Sequence, residues 1–171
     1  MSDVRRFRRP IIAVFLKSSE IQAPARDVFA WHQSPDALSK LIPPWEPVTI
    51  EQAPTSLENG ATAVLVLSVG PMKLRWVARH RDFVDRGDAG GEFTDEQVSG
   101  PFASWVHRHV VRATSLTHCV LEDRVEYTLP LWWFGQVAAG WHVRRKLTRM
   151  FDYRHAVTIS ALQPVGTKPG Q

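Results

Sequence analysis

Two histidines two residues apart, His107 and His109, stand in the run Trp105-Val106-His107-Arg108-His109-Val110-Val111-Arg112, which otherwise reads as a β-strand. Successive strand side chains point to opposite sides, so Trp105, His107, His109 and Val111 share one face and Val106, Arg108, Val110 and Arg112 the other. Arginine prefers water, which assigns the Trp-His-His face to the interior. Two imidazoles then occupy positions where an ordinary core carries Val or Leu. Either one alone reads as a core histidine satisfied by a neighbour; the set asks for chemistry.

Turn positions suggest what faces them. A hairpin centred on Gly100-Pro101 places Asp95 opposite His107. A loop centred near Ser115 makes positions summing to roughly 230 face each other, pairing His107 with Asp123 and His109 with Leu121. The Gly-rich turn from Arg86 to Gly91 brings His80 beside Asp95 or Gln97. The expectation is a polar row of His80, Asp95 or Gln97, His107 and Asp123 across four neighbouring strands. A buried histidine between carboxylates has its ring oriented and its charged form favoured, which suits proton transfer or recognition of a ligand hydroxyl or carbonyl. His107, Asp123 and Asp95 are therefore the catalytic candidates. The competing role is a structural network bracing the sheet, since buried polar groups must be paired in either case.

Metal binding is a sharper alternative. His80, His107 and His109 with Asp95 are chemically adequate for zinc. Two histidines two apart on a strand arise by chance, however, and neither paired cysteines nor a His-Glu-x-x-His motif supports them, so the reading is no metal. No cofactor is expected either, there being no phosphate-binding Gly-rich loop, and the lack of a Gly-x-Ser-x-Gly sets nucleophile-elbow chemistry aside. The aromatic and basic residues do not match an RNA-recognition sheet, so no nucleic-acid partner is expected.

The elements that must position the row follow from periodicity. Phe15 to Ile21 reads as a first strand, Ala25 to His32 as a helix opened by Pro24, and Ala37 to Ile42 as a second short helix stopped by Pro43-Pro44. From Val48 the period becomes two. Six short strands follow, with turns at Glu58-Asn59-Gly60, Gly70-Pro71, Arg86 to Gly91, Gly100-Pro101 and Ala113 to Ser115. The last strand sets Cys119, Leu121, Asp123, Val125 and Tyr127 on one face. Pro130 ends the sheet. From Trp133 to Leu162 no proline interrupts, and Val137, Trp141, Thr148, Phe151, His155 and Ile159 recur at helical spacing, predicting one helix of about 45 Å.

At 171 residues with 44% hydrophobic content the chain suits one domain with a substantial core. The reading is a basic flexible tail over residues 1–9, a single domain over 10–162 and a flexible tail over 163–171. Arg5, Arg6, Arg8 and Arg9 account for the excess of 21 basic over 17 acidic residues. The run from Pro10 to Leu16 is closed by Lys17 and Glu20 without a small-residue cleavage site, and nothing approaches a membrane span. A cytoplasmic protein is expected.

Four of the seven tryptophans, Trp31, Trp76, Trp105 and Trp141, fall on predicted interior faces, where aromatic walls suit a flat hydrophobic ligand or simply fill the core. With them, His80, Gln97, His109 and Tyr127 from the sheet and Phe151 and His155 from the helix are the ligand-binding candidates. Trp132-Trp133 reads as a lip or a partner contact.

A curved sheet can wrap the long helix and leave a hollow between them. This order of elements resembles the helix-grip fold, an α+β architecture, of the superfamily that includes START lipid-transfer domains, the birch pollen allergen and the aromatic polyketide cyclases/dehydrases. Pro24 to His32, Pro43 to Pro47, Leu74 to His80, Asp95 to Phe102, the Trp105 and His-Arg-His segment, Asp123 to Pro130 and Met150 to His155 together resemble its bacterial SRPBCC ligand-binding branch. The resemblance implies a seven-stranded sheet and a small hydrophobic ligand. It also implies a relation to NAD-dependent epimerase-like domains, although this chain has no dinucleotide loop. Three functions stay open: binding of a lipid-like or aromatic ligand, a cyclase/dehydratase-like enzyme using a His-Asp pair, or a protein-interaction module.

The single Cys119 fits a reducing compartment and an apolar position. It should be reduced in the folded protein and slow to react with a water-soluble thiol reagent; labelling as fast as a free thiol would show that its strand face is misassigned.

Overall fold

Period-two alternation over most of the chain produces strands, and the turn glycines and prolines fold them back on one another. The computed structural model describes residues 12–130 and 136–162. The tails and Trp132-Trp133 lie outside the described residues. In chain order the elements are β1 (Ala13–Ile21), α1 (Ala25–His32), α2 (Ala37–Leu41), β2 (Val48–Gln52), β3 (Thr62–Val69), β4 (Met72–Asp85), a 3-10 turn (Gly87–Ala89), β5 (Gly90–Ser99), β6 (Ser104–Ala113), β7 (Cys119–Thr128) and α3 (Gln136–Leu162).

The strands form one antiparallel sheet in the order β1-β7-β6-β5-β4-β3-β2. The meander from β2 to β7 is local, and β1 closes it by pairing with β7, Ala13 opposite Tyr127 and Ile21 opposite Cys119. Helices α1 and α2 make the connection from β1 to the far edge. Helix α3 lies against the inner face of the sheet. This is the seven-stranded helix-grip architecture expected from the order of elements.

The core has two parts. Near α1, Ile21, Val28, Phe29, Phe93, Val111 and Leu121 pack together. Gly90 adopts φ 98° and Gly91 lies under Phe29; a Cβ on Gly91 would stand 2.4 Å from that ring, so glycine here lets α1 sit directly on the sheet. In β4, Asp82 takes a left-handed φ of 56° where the register with β5 shifts between Arg81 and Val84. This bulge re-aims the strand, and Phe83 stacks on Phe29 at 5.8 Å. The second part joins sheet to α3 through Phe15, Trp105, Val125, Tyr127, Val143, Leu147 and Phe151. Phe15 and Phe151 meet at 5.2 Å.

The inward stripe of α3 keeps Phe151 and His155 where the sequence reading put them but departs from it at Trp141 and Thr148. Val143, Leu147, Phe151, His155 and Thr158 are buried, whereas Trp141 is 64% exposed and Thr148 faces outward. The stripe advances by four residues at a time from Val143 to His155 and by three to Thr158, and Trp141 lies two positions before Val143, about 200° around the helix. Trp141 therefore does not wall the interior; its ring is covered from outside by the Arg145 guanidinium, 5.6 Å away. The apolar weight of Trp141 drew the sequence-based stripe outward at that position, and the side chain of Val137 lies outside the described residues.

Replacing Phe151, fully buried, by Ala should cost about 3–5 kcal/mol in chemical denaturation. Trp141→Ala should stay within about 0.5 kcal/mol of the parent. The opposite ranking would mean that α3 docks on its other face.

Candidate functional site

The inner face of the sheet carries the expected polar row, and α3 completes it. Register puts His80 opposite Asp95 and Asp95 opposite His107. Between β6 and β7 the partners are His109 with Asp123 and His107 with Val125, two residues away from the pairing read from the sequence. The loop is asymmetric: the backbone N–H groups of Thr114 and Ser115 both donate to His118 O, and the strands close at Ala113 opposite Cys119. A shift of two keeps every side chain on its face, so the row survives and His107 reaches Asp123 diagonally.

Asp123 is the hub. Its Oδ1 accepts from His107 Nε2 at 2.8 Å and from His109 Nδ1 at 2.8 Å, and its Oδ2 from His155 Nε2 at 2.7 Å. His155 belongs to α3, and its Nδ1 accepts from the Ser19 hydroxyl of β1 at 2.8 Å. Asp95 forms a second centre. Its Oδ1 accepts from His80 Nε2 at 2.9 Å and its Oδ2 from His109 Nε2 at 3.0 Å. His80 Nδ1 lies 3.0 Å from the Ser56 carbonyl oxygen. The side chains of His80, His107, His109, His155 and Asp123 are nearly inaccessible, while that of Asp95 keeps 24% exposure and forms the open end of the row.

These contacts set protonation. Burial alone would push His109 down, but Asp123 and Asp95, one on each ring nitrogen, raise it from 6.5 to about 9. His109 is thus an imidazolium between two carboxylates. Burial and the neighbouring His109 charge push His107 down to about 4 against the pull of Asp123. The His107 ring is therefore neutral: Nε2–H donates to Asp123 and Nδ1 carries a lone pair. Among the described residues Nδ1 has no hydrogen-bond partner, and Asp95 Oδ2 lies 3.9 Å from it. Burial opposes the charge on both carboxylates, but His109 and His80 around Asp95, and His109, His107 and His155 around Asp123, hold each well below the usual carboxylate range. Arg154 adds a second cation; burial lowers its pKa, and its Nε donates to Leu41 O at 3.2 Å, tying α3 to α2. His32, at the end of α1, donates to Val28 O over 2.8 Å and is lowered to about 4, first by burial.

Beside the row stands an aromatic wall. Trp76 meets Trp105 edge-on at 5.1 Å, Phe102 sits 4.8 Å from Trp105, and Tyr127 closes on both. Trp105 reaches the His107 ring at 6.4 Å, and Phe151 of α3 covers that ring edge-on at 5.0 Å. The Trp76 indole N–H is buried with no acceptor among the described residues. Gln97 is committed elsewhere: its amide bonds the Phe102 backbone at 2.9 and 3.4 Å and clamps the β5–β6 turn. Trp31 is half-buried, edge-on to His32 at 5.1 Å and outside the wall. Two surface hollows, one around Trp45, Arg149 and Tyr153 and one around Pro24 and Leu116, are lined by other residues.

Sequence reasoning missed Ser19, Ser56, Arg154 and His32. Ser19 carried a signal, sharing the period-two face of Phe15 and Ile21, and His32 bonds within its own helix to Val28 O; Ser56 and Arg154 depend on contacts between elements remote in the chain.

Residues 21–152 match the family described as polyketide cyclase / dehydrase and lipid transport. No curated protein sequence matches the chain. Among solved structures, the nucleoside-diphosphate sugar epimerase from Corynebacterium glutamicum is similar at 27% identity with a TM-score of 0.67 over 86% of this chain, but the chain spans only 29% of that protein. The Zhui aromatase/cyclase from Streptomyces sp. R1128 is similar at 14% identity and TM-score 0.58, covering 89% of this chain and 92% of that one. A START superfamily protein from Mycobacterium smegmatis is similar at 11% identity and TM-score 0.58, covering 87% and 96%. The last two likenesses are of fold.

The protonation pattern predicts a stability maximum. The folded pKa of His109 is raised, so its contribution is full below about 6.5 and lost as pH rises through about 9. The folded values of His107 and His32 are lowered, so their contributions are present above about 6.5 and lost as pH falls through about 4. The two depressed carboxylates add to the acid loss. Thermal melts of chelator-treated protein should peak near pH 6.5 and fall on both sides, and His109→Gln should abolish the alkaline fall. A parent melting temperature flat between neutrality and about pH 9 would contradict the imidazolium bridge.

Proposed function

We propose that this chain, which belongs to the polyketide cyclase / dehydrase and lipid transport family within the SRPBCC superfamily, binds a small hydrophobic, ring-containing or acyl ligand between its sheet and α3. The observation that carries this reading is the junction of an aromatic wall with a buried polar row. Trp76, Phe102, Trp105 and Tyr127 offer apolar contact, and the Trp76 N–H and the His107 and Asp95 end of the row offer the few polar anchors that fix orientation. These rings pack on one another here, so a ligand enters by displacing the half-buried Trp76 and Phe102 from the mouth of the grip. Trp31 and Gln97 lie outside this junction and contribute to the scaffold. Likeness to part of an epimerase chain supports an epimerase-like protein as partner.

A second reading rests on one specific feature. Asp123 holds His107 Nε2–H and leaves Nδ1 with a lone pair in a site shielded from water, the arrangement of a general base with its orienting carboxylate. In a cyclase or dehydratase-like reaction His107 would take a proton from a carbon acid, and Asp123 would stabilise the imidazolium formed. The interaction-module alternative depended on Trp132-Trp133, outside the described residues.

Native mass spectrometry of protein from its own host should find a co-purifying apolar ligand, and flat aromatic or acyl probes should quench tryptophan fluorescence in the parent but not in Trp76→Ala. No retained ligand and no saturable quenching would end the binding reading. With a bound probe in hand, His107→Gln should cost about 1–3 kcal/mol of affinity if His107 is a polar anchor. Near-parental binding with turnover reduced about 10²- to 10⁴-fold would instead favour the general-base reading.

A further inference from the structure

The inner ends of His107, His109 and Asp95 converge. His109 Nε2 lies 3.0 Å and His107 Nδ1 3.9 Å from Asp95 Oδ2, and donor atoms of all three residues fall within 4.8 Å of one another. Ligand atoms around a tetrahedral zinc ion, each about 2.0–2.2 Å from the metal, stand about 3.3 Å apart. The two separations from Asp95 Oδ2, 3.0 and 3.9 Å, straddle that value and lie within reach of side-chain adjustment.

The outer ends of the same side chains are held as metal ligands usually are. Asp123 Oδ1 accepts from His107 Nε2 and from His109 Nδ1, both at 2.8 Å, leaving each ring's other nitrogen turned inward toward Asp95. His80 in turn holds the other oxygen of Asp95 at 2.9 Å. Ligating imidazoles characteristically donate their remote N–H to a carboxylate, which fixes the ring and the tautomer. Here one carboxylate does this for two rings at once. Asp95 is the partly exposed member, with 24% of its side chain accessible, so solvent reaches the cluster at this residue.

We infer that Asp95, His107 and His109 form a binding site for a borderline first-row divalent metal ion, with zinc as the reference ion, and that Asp123 and His80 orient its ligands. Two imidazoles and one carboxylate leave a position for water or a ligand oxygen, the open arrangement of catalytic zinc sites. On binding, His109 Nε2 exchanges its proton for the metal and that proton passes to the buffer; His107 Nδ1 coordinates through its existing lone pair. Hard ions such as Mg²⁺ and Ca²⁺, which seek more oxygen ligands, are poorly served. The inference stands on the polar row alone and does not depend on the ligand reading above.

The test uses the full chain, stripped with chelator and titrated with Zn²⁺ by calorimetry and with Co²⁺ by visible absorption. One ion should bind per chain with proton release, Co²⁺ should give the intense bands of a low-coordinate site, and the melting temperature should rise. Asp95→Asn and His107→Gln should abolish saturable binding, and Asp123→Asn should weaken it about 10- to 100-fold. Replacing the exposed His118 and His142 by Ala should change nothing. Absence of one-to-one uptake by the parent protein overturns the inference whether or not any variant folds. So does binding lost in the His118 and His142 variants but kept in Asp95→Asn, which would place the ion on the surface.

Discussion

The carboxylate of Asp123 is the contact on which the rest of the structure depends. It accepts three imidazole N–H groups at 2.7–2.8 Å, two from β6 and one from α3, in a space nearly closed to water. An ionised carboxylate in such a place is tolerated only when its oxygens are saturated with donors. Removing any donor would leave charge unpaired, so the sheet and α3 are bound to one relative position. A purely apolar interface would dock the helix as firmly but leave it free to slide by a turn; the Ser19-His155-Asp123 chain does not.

Charge balance follows from the same requirement. Asp95 and Asp123 are two buried negative charges, and His109, bonded to both, supplies one positive charge at the point where it is shared. Arg154, drawn toward both carboxylates and anchored on Leu41 O, adds a further positive charge nearby. His107 is left neutral because burial disfavours its charge and its neighbour is already a cation. One strand therefore carries two histidines in opposite states two residues apart, and the difference comes from how many carboxylates each ring touches.

The fold makes this affordable. The sheet presents His80, Asp95, His107 and Asp123 on four consecutive strands, and antiparallel pairing keeps neighbouring side chains within hydrogen-bond reach. The aromatic wall continues the same face toward the mouth of the grip. The general-base, ligand-anchor and metal readings all use Asp95 and His107 on the neighbouring strands β5 and β6, which is why one cluster bears on each of them.

Much of this was legible in the chain itself. Alternation placed Trp105, His107, His109 and Val111 on one side of a strand, and Cys119, Leu121, Asp123, Val125 and Tyr127 on one side of the next, because strand period is a local property. Turn positions gave Asp95 opposite His107 correctly, and missed the β6–β7 register by two because hydrogen bonds in the 114–118 loop, which no pattern reports, decide where the strands close. The bulge at Asp82 and the outward face of Trp141 were equally hidden, since both follow from how one element lies on another. That His109 is charged and His107 neutral, that His155 reaches Asp123 from 32 residues away, and that three donor atoms converge beside Asp95 were settled only by the packing of α3 and four strands. Residue type and spacing are fixed along the chain, but the electric field at a buried ring is a sum over neighbours that only the assembled molecule brings together.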